Sequence, residues 1–220
     1  MNSQINSILL QAFAIASLLI LPSSISAGNA DGIVLVIRDG VLERFEKNAW
    51  KPVAPKSSVR LGDHLRTGAR SVAVIQMPDL GKIVIGSSSE VVLGQHQRVF
   101  DSQLKRGAIW MHATLPSGAR ASVSTDLATA GVRSTRFAVM SDAKGFDVCT
   151  CEGEVEVSTK DGSKEMVRRG DQVVIGNSDP LHIHKKSGKQ YMVDRKSEPT
   201  FCYLCHDPDT GKGLQDSIIK

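Results

Sequence analysis

Three short stretches carry side chains that could do chemistry: Cys149-Thr150-Cys151, His182-Ile183-His184 and Cys202-Tyr203-Leu204-Cys205-His206. The last reads Cys-x-x-Cys-His, the attachment signature of a c-type haem. There Cys202 and Cys205 would form the thioethers, and His206 would be the proximal iron ligand. A sixth ligand would come from upstream, as His182, His184 or Met192. Asp207-Pro208 breaks any helix beyond the motif, and only fourteen residues follow it. Residues 176 to 220 offer few apolar side chains for a haem pocket, mainly Tyr191, Phe201, Tyr203, Leu204 and Leu214. The rest of the chain would have to supply one wall.

The other two stretches suit a metal ion without haem. In a strand, residues i and i+2 face the same side. Cys149 and Cys151 would then point one way, with Val148 and Thr150 the other. His182 and His184 would likewise point out and Leu181 and Ile183 in. If the two strands are neighbours, four nitrogen and sulfur donors converge as a Cys₂His₂ set, which suits zinc. The third possibility is disulfides, since four cysteines allow three pairings. Cys202 with Cys205 is the easiest local closure. Cys149 with Cys151 is strained, because a bridge needs Cβ atoms roughly 4 Å apart. A cross-link from Cys149 or Cys151 to the C-terminal tail would pin that tail onto the β domain. His64, His96 and His112 stand alone in sequence and are expected as surface or turn residues.

Compartment decides what those thiols meet. Ile8 to Leu21 is an apolar run of fourteen residues ending at Pro22, with small residues through Ala30. That is the outline of a secretory signal peptide, and it is short of the ~20 residues that span a bilayer. Export to the periplasm, signal cleavage within residues 1–30 and no stable membrane span afterwards are expected. The exported chain would meet an oxidising environment, where thiols pair or are ligated. Lys and Arg number 27 against 23 Asp and Glu, for a net charge of +4 spread in short clusters. Nucleic-acid binding needs a dense basic face and is not expected.

The elements that would position these residues read as strands. Ile33–Ile37, Ser71–Met77, Lys82–Ile85, Ser89–Leu93, Ala108–Met111, Phe137–Met140, Glu154–Val157 and Gln172–Ile175 are short, β-branched and separated by turn residues. No window between Gly32 and Ile175 carries a 3.6-residue apolar period. The pattern predicts an all-β sandwich or roll over residues 31–175, with Gln172–Ile175 as its last strand. Residues 176–220 read as an irregular, Lys-rich tail.

Several blocks inside that domain carry a resemblance. They are Trp50-Lys51-Pro52-Val53, Leu61-Gly62-Asp63-His64-Leu65-Arg66-Thr67-Gly68-Ala69-Arg70-Ser71 and Leu104-Lys105-Arg106-Gly107. Ala130-Gly131-Val132-Arg133-Ser134-Thr135-Arg136-Phe137-Ala138-Val139 and Glu152-Gly153-Glu154-Val155-Glu156-Val157 complete the set. In order and content they resemble the FecR periplasmic domain, departing from it at Ser134 and at Asp79-Leu80-Gly81. The resemblance implies a β-rich module that receives or relays a signal by contact with a periplasmic or envelope protein. Its best-known members regulate iron-uptake sigma factors through a cytoplasmic anti-sigma segment ahead of one membrane helix. Seven residues precede the apolar run here, and no anti-sigma segment is expected in them.

The same residues have a plain physical reading. Gly62 and Gly68 are expected at positive φ, Thr67 and Ser71 bonded to turn backbone, and Asp63 paired with Arg66. No nucleophile–base set, catalytic carboxylate pair or phosphate-cradling loop is present, so no enzyme activity is expected. The leading expectation is an exported, non-enzymatic sensing module carrying one haem c at Cys202, Cys205 and His206. The alternative is a structural module that binds a partner protein or cell-wall polymer, its cysteines and histidines forming disulfides or a zinc site.

Overall fold

The computed structural model of the chain describes residues 32–96, 98–169, 171–176 and 179–187, the last stretch for its backbone alone. Among the described residues there are seventeen strands and no helix. They form two sheets. In the first, β4 (Ser58–Val59), β1 (Gly32–Arg38), β6 (Val72–Met77), β7 (Gly81–Ile85) and the second half of β9 (Val99–Thr114) lie side by side. β12 (Ser134–Asp142), β13 (Gly145–Glu152), β16 (Asp171–Gly176) and β17 (Asp179–Ser187) continue it, every pair antiparallel. In the second, β3 (Ala49–Val53), β2 (Leu42–Glu46), β5 (His64–Thr67) and β8 (Glu90–Val92) lead to the first half of β9. β10 (Arg120–Ser124), β11 (Ala128–Val132), β14 (Glu154–Thr159) and β15 (Lys164–Arg168) follow, and only the β9–β10 pair is parallel.

Alternation gives each sheet one face for a shared core. Ile75, Ile83, Met111, Phe137 and Val148 come from the first sheet, and Leu42, Leu65, Phe100, Val123 and Val155 from the second. Each is at most 2% exposed, and burying one such side chain contributes about 1.5–3 kcal/mol. With few aromatics, the core is built mainly of Val, Ile and Leu, as the composition requires.

β9 passes from one sheet to the other. Arg106 pairs with Glu90 in the second sheet, and Gly107 with Ser141 in the first. Gly107 makes the turn at φ +86°, and a Cβ there would stand 2.5 Å from the Ser89 Cα. The short strand expected at Ala108–Met111 is therefore the second half of a sixteen-residue one. Gln172–Ile175 is not the last strand either. β17 adds outside it, with Asp171 opposite Ser187 and Val174 opposite His184, and satisfies the backbone groups on that side of β16.

Candidate functional site

β13 places Cys149 and Cys151 on one face, as the period of two requires, and that face is the outer side of the first sheet. Val148 and Thr150 point to the core, where the Thr150 hydroxyl donates to the Val167 carbonyl at 3.0 Å. Register carries Cys149 into one row that crosses the sheet. Val36 stands opposite Val74, Val74 opposite Val84, and Val84 opposite Trp110. Trp110 stands opposite Ala138, Ala138 opposite Cys149, and Cys149 opposite Gln172. Val74, Val84, Trp110, Ala138, Cys149 and Cys151 form a second apolar cluster, and none is more than 6% exposed. Cys149 is disulfide-bonded, and not to Cys151.

The histidines expected to complete a Cys₂His₂ set lie on β17. β16 runs between β17 and β13, so their backbones stand about 10 Å apart at the usual strand spacing. His184 aligns with Val174 and not with the Cys149–Gln172 row. The neighbouring strands that convergence required are absent, because β16 takes the place beside β13. Among the described residues no group of three His, Cys, Asp or Glu could hold a metal ion. Cys202, Cys205, His206 and the alternative ligand Met192 lie outside the described residues.

The outer row also carries polar groups. Gln172 is fully buried and its Nε2 donates to both carboxylate oxygens of Asp147 at 2.7 Å. Its Oε1 and the Trp110 Nε1 have no hydrogen-bond partner among the described residues. In the next row toward the end of β9, Lys82, His112, Arg136 and Glu152 stand in register. Arg136 Nε lies 3.2 Å from the Glu152 carboxylate. Burial, then the positive charges of Arg136 and Lys82, hold His112 below the usual imidazole range against the opposing pull of Glu152.

The outer face of the second sheet differs in exposure. Phe45 is 42% exposed and packs on Trp50, with ring centroids 5.3 Å apart. His64 meets the Trp50 ring edge-on at 4.8 Å and binds Glu90 at 2.9 Å. The Arg66 guanidinium lies 4.2 Å over Trp50 while its Nε donates to Glu43 at 2.7 Å. The sequence reading missed this cluster and took His64 as isolated. The available signal was the i, i+2 pair His64 and Arg66, but its partners lie on strands the sequence did not delimit.

The quoted blocks do structural work. Gly62 takes φ +82°, as expected. Gly68 does not take a positive φ; Arg70 does, at +64°, and Gly68 is constrained by Ser71 and Val41, each 3.2 Å from a Cβ built there. Thr67 accepts from the Ser89 amide at 3.0 Å and Ser71 from the Val41 amide at 2.9 Å, so both bond backbone far away in sequence. Asp63 and Arg66 do not pair: Asp63 holds Arg44 at 3.1 Å, and Arg66 holds Glu43. Asp63 lies in the turn before β5, where its carboxylate also accepts from the Arg60 amide at 2.8 Å.

An open groove of about 1000 Å³ crosses β10, β11 and β14, lined by Asp101, Ser122, Arg133, Glu154 and Glu156 among others. Its carboxylates already pair, Asp101 with Ser122 at 2.6 Å, Glu154 with Arg168 at 3.1 Å and Glu156 with Lys164 at 2.9 Å. No helix of the described residues is long and apolar enough to cross a membrane.

Residues 63–156 match the family model described as FecR protein. Two crystal structures of a "putative anti-sigma factor" from Parabacteroides distasonis ATCC 8503 share the fold. Each has a TM-score of 0.53 at 16% identity over 62% of this chain. The aligned part spans 64% and 65% of those two chains, so the likeness covers under two thirds of their length. No curated protein matches. The all-β fold, the order of the blocks and the family match make residues 63–156 similar to the FecR protein family.

Proposed function

We propose that this chain is an exported, non-enzymatic FecR-like module that passes a signal by contact with a periplasmic or envelope protein. The observation that carries the reading is the Phe45–Trp50–His64–Arg66 cluster, exposed at Phe45, on the second sheet of a FecR-like domain. Aromatic side chains and arginine dominate the energetics of protein contacts, and here they are held in place by Glu43 and Glu90. The solved relatives' description as an anti-sigma factor supports a part in signal relay. The test is photo-crosslinking in cells, with a benzophenone side chain in place of Phe45 and, as control, in place of Lys160. A discrete adduct with one envelope protein is expected at position 45 and not at position 160. Failure to form it at 45 would remove this face from the function.

The haem expectation at Cys202, Cys205 and His206 is supported by the order of those residues and the signal-peptide outline. It requires both thiols. A pyridine haemochrome spectrum of the denatured protein, made with an active cytochrome c maturation system, tests it; no covalent haem would end that reading. The reading in which the cysteines only fasten the chain is favoured by the disulfide at Cys149.

A further inference from the structure

The middle of the first sheet's outer face, from Val74 to Cys149, is buried, although Ile33 on the same face is 45% exposed and the two-sheet core lies on the other side. Trp110 is 3% exposed and Cys149 5%, whereas Phe45 on the outer face of the second sheet is 42% exposed. A sheet face of this kind needs a cover, and three observations say which segment covers it. Cys149 is disulfide-bonded. Cys151 is two residues along the same strand, about 6.8 Å away, beyond the Cβ separation of roughly 4 Å that a bridge needs. The remaining cysteines are Cys202 and Cys205. Ser187 ends β17 at the edge of this sheet, two strands from β13, about 10 Å at the usual spacing. The fourteen residues from 188 to 201 can extend to ~45 Å, more than enough to return to Cys149.

We propose that residues 188–220 lie across the outer face of the first sheet and are held there by a disulfide from Cys149 to Cys202 or Cys205. The segment supplies Tyr191, Met192, Phe201, Tyr203 and Leu204 to cover Val74, Val84, Trp110 and Ala138. Forming the bond from two thiols releases two protons and two electrons. A disulfide of the oxidising compartment accepts them by thiol exchange and leaves as a dithiol. The tail is thus a strap whose release depends on reduction, and this does not rest on the partner-contact reading above.

The test uses the full chain exported to a bacterial periplasm and purified without reductant, with thiols alkylated before digestion. Trypsin yields peptides 145–160 and 197–212. A linked pair of these two is expected, retained in Cys151→Ser and lost in Cys149→Ser. Cys149 recovered as an alkylated thiol or joined to a second copy would overturn the proposal. So would haem on peptide 197–212, or a bridge within it. The second measurement uses Trp50→Phe, which leaves Trp110 as the sole tryptophan. Reduction is expected to shift its emission to the red and raise acrylamide quenching. Emission unmoved by reduction would show that the bond does not hold a cover over Trp110.

Discussion

His112 shows how a single residue reads its surroundings. It sits in register between Lys82 and Arg136, and burial with those charges lowers its pKa from the ordinary 6.5. The unfolded chain therefore binds more protons than the folded one below about pH 6.5. Stability linked to His112 is complete above that value and is lost as pH falls through the lowered folded-state value. Replacing His112 with Asn should flatten the loss between pH 7 and pH 5, read as the difference in urea midpoints at the two pH values. An unchanged difference would assign the acid sensitivity elsewhere. Thr67 is a second case. It is buried, accepts from the Ser89 amide and donates to the Gly86 carbonyl. Thr67→Val keeps the volume and orphans both groups, and should cost about 1–3 kcal/mol in urea unfolding.

Strands are where the sequence was most and least informative. The faces were legible: a period of two placed Cys149 and Cys151 together and Val148 with the core. The partners were not, because register is set by a strand that can be tens of residues away. Arg66 meets Glu43 across β2, twenty-three positions back, while the nearer Asp63 meets Arg44. For the same reason the sequence did not show that β16 lies between the strand of Cys149 and Cys151 and the strand of His182 and His184. The quoted Gly107 had a reason that only the fold displays, the crossing of β9 beside Ser89. Gly107→Ala should cost about 3 kcal/mol or more, because a positive φ alone costs about 1–2 kcal/mol and the added Cβ meets backbone at 2.5 Å. Gly118 has φ +78° with nothing within 4 Å of a Cβ, so Gly118→Ala should cost the φ term only. Equal losses in urea midpoint for the two would mean that the crossing is not tight.

At the scale of the molecule, two sheets share one strand and one core, and each carries one tryptophan on its outer face. Trp110 stands on β9 within the first sheet, and Trp50 on β3 within the second. Because β9 runs through both sheets, neither can lose its strands without exposing the apolar side chains of the other. Sheets linked in that way unfold as one cooperative unit. The single-tryptophan variants Trp50→Phe and Trp110→Phe report the first and second sheets separately. In each, the urea midpoint by fluorescence should coincide with the midpoint by far-ultraviolet circular dichroism. Trp110→Phe should lower both midpoints together, since it removes a buried ring, and Trp50→Phe should lower them less. A fluorescence transition that precedes the circular dichroism transition in one variant alone would identify a sheet that opens independently. The strand through Gly107 would then be a hinge between two units instead of the weld that makes them one.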